Sequence, residues 1–216
     1  DMSLAQHLKL IMEGVDTWNA WRNATPGSKP DLSGADLSGR DLSRAILAHT
    51  NFNNANLQNA TLENVDLEHC NFFNANLSNA NLAGTNLRGA DLSHAQTLNI
   101  NLQGACLEGA TLNNIILCGQ LLGGINFRNA SLFGSDLKEA DLTNADLTGA
   151  SLSEANLDRV NFYKTNLTRA NLNGASVKGA MFRDTILDGT NFKDVNLREA
   201  ALTFKEKMRL KFSGKL

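Results

Sequence analysis

The chain has 216 residues, with 20 Lys+Arg against 22 Asp+Glu and a formal net charge of −2, so its overall charge points to neither nucleic acid nor membrane. No stretch approaches the roughly 18 apolar residues of a membrane span, and the opening DMSLAQHLKLIMEG lacks the basic flank and cleavage pattern of a secretory leader. Three cysteines, Cys70, Cys106 and Cys118, are too few and too odd in number for a disulfide framework and fit a reducing, cytoplasmic setting; a leader already removed, for periplasm or thylakoid lumen, would leave the same opening.

The first predicted element is a helix. Ser3 and Gln6 have capping-box spacing, and Leu4, Leu8, Ile11, Val15 and Trp18 follow at helical intervals on one face. The stretch ATPGSKP, which holds both prolines, ends it. A helix over residues 4–22 would be roughly 28 Å long. Residues 1–29 are therefore read as a helix and a linker.

From Pro30 to Glu199 the sequence divides into 34 pentads with no insertion or deletion. The central residue, at Leu32, Leu37, Leu42 and onward to Leu197, is apolar in 33 of the 34, and Thr97 is the exception. A period of five fits neither a helix face nor a strand face. Thirteen of the seventeen glycines occupy the fifth place and Asn takes it nine more times, so that place behaves as a corner needing positive φ. The first place is Ala in eighteen pentads, as expected for a side chain pointing into a crowded interior. Each pentad reads as a short straight piece with an inward leucine, followed by a turn.

Straight pieces joined by corners must close into coils if their leucines are to share a core. Phe52 and Phe72, and Phe162 and Phe182, recur at separations of twenty, and so do Glu68, Arg88, Glu108 and Arg128 with alternating sign. Coils stacked like strands lie about 4.8 Å apart, so the last four would form a ladder of opposite charges. Twenty residues per coil means four pentads and a square section, giving eight to nine coils and a rod roughly 41 Å long.

The run of A(D/N)LXX units, clearest in ADLTNADLTGASLSEANL from Ala140 to Leu157, resembles the pentapeptide-repeat family. The resemblance implies a right-handed quadrilateral β-helix, an all-β solenoid, over residues 30–200, with an N-terminal α-helix cap and a short C-terminal helical cap. Such a solenoid exposes its core at each end unless something covers it. The amphipathic helix 4–22 suits the first end and, being longer than a coil side of roughly 16 Å, would cross it diagonally.

The stretch 95–125 departs most from the pattern. Its core place at Thr97 is polar, its first place holds Ile100, Ile115, Gln120 and Ile125, and its outward second place holds Ile116 and Leu121. In the simple register Leu98, Ile116, Cys118 and Leu121 face outward as an apolar patch, the candidate partner contact. A local slip that turns Leu98 inward in place of Thr97 fits the letters equally well.

Residues 201–216 carry five bases and one acid, read as a solvated face. Thr203 and Glu206 again have capping-box spacing, and Phe204, Met208 and Phe212 fall at i, i+4 and i+8, so a short helix closing the far end is expected. The alternation from Met208 to Phe212 would also suit a strand.

No phosphate-binding loop, nucleophile elbow or H-E-x-x-H motif is present. Asp36, Asp136, Asp141 and Asp146 occupy the second place, where the repeat itself asks for a small polar group. His49 and His69 would stack at one corner beside Cys70, but Cys70 holds an inward place and the simpler reading is two exposed histidines. The expectation is a protein with no catalytic residues, no cofactor and no metal.

The family resemblance brings one specific alternative, because some members bind type II topoisomerases as DNA mimics and confer quinolone resistance. DNA carries one charge per roughly 1.7 Å of axis, so a 41 Å mimic would show about 24. Residues 31–200 hold 18 acids and 12 bases, and relatives of that kind carry projecting loops that this uninterrupted register lacks. The chain more closely resembles the bacterial, often cyanobacterial, members with a capping helix and no assigned biochemistry. The function expected is a scaffold for an unidentified protein partner, monomeric or weakly dimeric, engaging neither nucleic acid nor membrane.

Overall fold

The computed structural model describes residues 2–216, and the chain divides into two compact units, Asp1–Thr111 and Leu112–Leu216. Both are built from the pentad. In the first, Asp31, Asp36 and Asp41 form single parallel bridges with Asn51, Asn56 and Thr61, and Asp66 bridges Asn86 in a fourth column. In the second, Ile116, Leu121, Asn126 and Ser131 bridge Asp136, Asp141, Asp146 and Ser151. Every bridge joins residues twenty apart, so in each unit four pentads make one coil, as the phenylalanine spacing predicts.

Backbone hydrogen bonds run from coil to coil. The N–H of Leu32 donates to Asn51 O at 2.8 Å, that of Gly34 to Asn53 O at 2.8 Å, and that of Asn51 to Pro30 O at 2.9 Å. Each side is one bridge residue between two turns, which is why isolated bridges take the place of longer strands. At the corner, Ala35 N–H closes on Leu32 O at 3.1 Å while Gly34 holds φ +68°, the type II pattern with positive φ at its third residue. Asp or Asn suits the second place because its side-chain oxygen accepts the N–H two residues on: Asp31 from Ser33 at 2.9 Å, Asn51 from Asn53 at 2.9 Å, Asp141 from Thr143 at 2.9 Å. This Asx turn fixes the approach to the corner.

Inside, the central residues stack in files. Phe52 and Phe72 lie parallel with ring centroids 5.0 Å apart, and Phe162 and Phe182 do the same at 5.0 Å. Thr97 is only 3% exposed while Leu98 is 70% exposed. The register therefore continues through this pentad without a slip.

The expected single helix is two: α1, Leu4–Glu13, and α2, Val15–Ala24, separated by Gly14 at φ +125° and ψ 164°. Only glycine adopts that conformation readily, and it lets two pieces of about 15 Å each replace one that would overhang. The capping box of Ser3 and Gln6 is formed. The predicted apolar stripe is only partly used. Ile11 and Trp18 are buried, whereas Leu4 is exposed and His7 and Arg22 are buried instead. The reason is the polar rim of the first coil. Trp18 Nε1 donates to Ile46 O at 2.9 Å, Asn19 Nδ2 to Arg44 O at 2.8 Å and Arg22 Nη2 to Ala48 O at 2.9 Å, while His7 Nδ1 accepts the Asp31 N–H at 3.3 Å. A purely apolar face would leave those rim groups unpaired.

After a 3-10 turn at Leu197–Glu199, helix α3, Phe204–Phe212, begins at the expected capping box of Thr203 and Glu206. It buries Leu210 and Glu206, and Arg209 Nη2 and Lys215 Nζ reach Thr185 O and Thr190 O at 3.2 and 3.4 Å. The Phe204–Met208–Phe212 stripe lies on the other side: Phe204 is 79% and Phe212 84% exposed. Among the described residues no helix is long and apolar enough to cross a membrane.

Candidate interaction surface

The second, fourth and fifth places face outward, and the interest lies where they break the polar rule. In the second unit Ile116 is 63% and Leu121 62% exposed. They occupy consecutive pentads, with the exposed Cys118 and the Gly119 corner, φ +66°, between them. Ile116 bridges Asp136 and Leu121 bridges Asp141, so the two apolar side chains begin columns that continue as carboxylates. Neither can accept the N–H two residues on, as the Asp or Asn usual at this place does. These positions forgo a local hydrogen bond to display branched aliphatic groups to water. Cys118 Sγ lies 3.9 Å from Asp136 O, and partial burial, followed by Asp136's hydrogen bond and charge, holds its thiol above the ordinary value. The fourth predicted contact, Leu98, belongs to the first unit, where it is exposed on its own pentad.

His49 and His69 stack with ring centroids 5.2 Å apart. Cys70 turns into the core beside them, donates to Leu47 O at 3.0 Å, and its thiol is pushed up to about 12, chiefly by burial. Among the described residues no three His, Cys, Asp or Glu gather in a way that could hold a metal ion. The corner is two stacked, exposed imidazoles and an inert thiol.

Charges on the coils pair across neighbouring turns. Arg88 meets Glu108 at 3.2 Å, as the ladder predicted, but Arg128 reaches Asp146 at 3.1 Å and Glu68 lies 3.8 Å from His69 Nε2. Arg159 and Glu139, also twenty apart, form a further pair. Glu108, Asp146, Glu139 and Asp184 thus stand beside arginines, which break up the acidic surface at those places.

The feature that spacing alone placed incompletely is the outer side of α3. Phe204, Met208 and Phe212 share one face, but Glu206 and Leu210 share another at the same i, i+4 interval, and the letters do not say which face docks.

Two family models match: a pentapeptide repeat region over residues 35–112 and 135–208, and pentapeptide repeats in eight copies over residues 117–149. The chain belongs to the pentapeptide-repeat family. No curated protein matches this pentapeptide-repeat chain in sequence. Solved structures similar to it include HetL, a pentapeptide-repeat protein involved in heterocyst differentiation regulation from Nostoc sp. strain PCC 7120, at 28% identity over 85% of this chain and 95% of HetL, TM-score 0.40. Others are the plasmid-mediated fluoroquinolone resistance protein QnrB1, at 18% identity over 86% and 84%, TM-score 0.40, and Rfr23 from the cyanobacterium Cyanothece 51142, at 20% over 86% and 97%, TM-score 0.19.

Proposed function

We propose that this pentapeptide-repeat protein is a non-enzymatic scaffold, wound right-handed as its family's fold implies, and that its second unit binds a protein partner through Ile116, Cys118 and Leu121. The supporting observation is that two branched aliphatic side chains stand more than 60% exposed at places where the pentad otherwise uses Asp or Asn to close its own turn. Exposed apolar groups that cost a local hydrogen bond and add little to packing are what a contact surface requires. Leu98, in the first unit, is proposed as a separate contact. The helical segments at residues 1–29 and 201–216 are read as covers for coil rims, which keeps the scaffold from associating end to end.

Affinity capture with the purified chain tests this, using Ile116→Asn and Leu121→Asn together. Asn is the right probe, because each second-place Asp seen in the bridges stacks on a residue other than Asp. Asn restores the turn acceptor without setting a new carboxylate on Asp136 or Asp141. A partner held by the parent chain should be lost from the double variant, and alkylating Cys118 should weaken it too. Equal retention by both chains would refute the assignment. A gyrase supercoiling assay separates the topoisomerase alternative, whose signature is inhibition at micromolar protein or below. The paired charges around Arg88, Arg128 and Arg159 argue against that outcome.

A further inference from the structure

We infer that the outer face of α3 is a docking surface for an anionic lipid bilayer. At about 100° per residue, Phe204, Met208 and Phe212 span an arc of about 80°, and its centre lies about 180° from the midpoint of Glu206 and Leu210, the pair that packs against the coil. The apolar arc therefore lies on the side of α3 away from the coil, with its two rings exposed and Met208, at its centre, half-buried. Its phenylalanines are 79% and 84% exposed, more than any other large apolar side chain among the described residues.

The charges around the arc identify the occupant. Lys205 borders it on one side and Lys211 and Lys207 on the other, all three exposed, and none is paired with a carboxylate among the described residues. The single acid of the tail, Glu206, is buried on the opposite side and occupied by the capping box. An apolar stripe bordered by lysines, with no acid on the same face, is the arrangement of a helix lying in a membrane interface: rings enter the acyl boundary while ammonium groups meet lipid phosphates. A second copy of this chain fits poorly, because stripe against stripe would crowd six lysines around one small contact. The whole-chain charge of −2 conceals this, since α3 carries four bases against one acid while residues 31–200 carry 18 acids against 12 bases. The inference is independent of the proposed protein contact in the same unit.

Flotation with phosphatidylcholine vesicles, with and without phosphatidylglycerol, tests it. The parent chain should float with the phosphatidylglycerol vesicles at low salt, float weakly with phosphatidylcholine alone, and release as salt rises. Phe204→Ser with Phe212→Ser should lower partition at least about tenfold. Lys205→Gln, Lys207→Gln and Lys211→Gln together should lower it about 100-fold on anionic vesicles. All five side chains are exposed, so circular dichroism should show both variants folded. The inference is overturned if the parent chain ignores anionic vesicles, as an acidic protein partner would require. It also fails if the serine variant floats as well as the parent, or if light scattering shows a dimer that the serine variant abolishes.

Discussion

Replacing Ile116 by Asn should leave the fold as stable as before or slightly more so, and the sum behind that sign can be worked from its surroundings. Ile116 is 63% exposed, so only about a third of the 1.5–3 kcal/mol that full burial of such a side chain contributes is at stake, about 0.5–1 kcal/mol. Asn in its place can accept the Cys118 N–H, as Asn156 accepts that of Asp158 at 3.0 Å one column position away from Asp136. Such a hydrogen bond contributes about 1 kcal/mol net. The balance runs from about zero to a gain of about 0.5 kcal/mol. Ile116→Asp should do less well, because a carboxylate one coil from Asp136 adds a repulsion of about 1 kcal/mol in water, and that difference should shrink in salt. Urea titrations of the parent and both variants, followed by circular dichroism at low and high salt, measure all three quantities. A loss above about 1 kcal/mol for Ile116→Asn would show that the side chain holds the coil together, and the case for a contact surface built from its exposure would fall.

Two glycines at the same backbone angle should respond differently to alanine. Gly109, φ +67°, has open space where a Cβ would go, so Gly109→Ala should cost only the left-handed strain of about 1–2 kcal/mol; at Gly84, φ +68°, the Cβ would fall 2.1 Å from Asn64 Oδ1, and Gly84→Ala should melt lower than Gly109→Ala. Burial holds the His7 pKa below its ordinary value, with Arg22 adding to the effect and Asp31 opposing it. The unfolded chain therefore takes up the proton first, so stability is full above about pH 6.5 and falls as pH drops through that value. Melting curves across that range should slope in the parent and flatten in His7→Asn, and an unchanged slope would exclude His7 as its source. With a thiol reagent on the native protein, Cys118 should label and Cys70 should stay silent until denaturant is added; early labelling at Cys70 would contradict its burial.

The coil was legible because the pentad repeats one steric demand thirty-four times. Leu at the centre, Gly or Asn at the corner and Asp or Asn before the leucine each answer a backbone constraint, and Phe52 with Phe72 gave the number of sides. The ends were less legible because their constraints come from the coil rim. Nothing near Gly14 in sequence says that the helix must stop there, since the break is set by the size of a coil side. Nor does hydrophobic spacing predict that His7 and Arg22 are buried while Leu4 is not, because those side chains answer the rim groups at Asp31 and Ala48. On α3 two i, i+4 pairs competed, and Arg209 and Lys215 reaching Thr185 O and Thr190 O orient the helix.

A strict repeat makes departures informative, provided each is asked what the fold gains. Thr97 departs inward and stays buried, so its cost lies within the core. His7 and Arg22 depart from the apolar stripe, and the rim carbonyls and N–H groups they meet account for them. Ile116 and Leu121 depart outward, where neither side chain can close the turn that Asp or Asn closes, and Phe204 and Phe212 stand in solvent. A side chain that costs the fold a hydrogen bond or exposes a ring to water, with no local return, is retained for a contact outside the chain. The two groups then call for different occupants. Ile116 and Leu121 are followed in their columns by the carboxylates of Asp136 and Asp141, which a bilayer of anionic lipid would repel, whereas Phe204 and Phe212 are bordered by lysines that it would attract. The flotation variants should therefore leave protein capture intact, and the Ile116 and Leu121 variants should float like the parent.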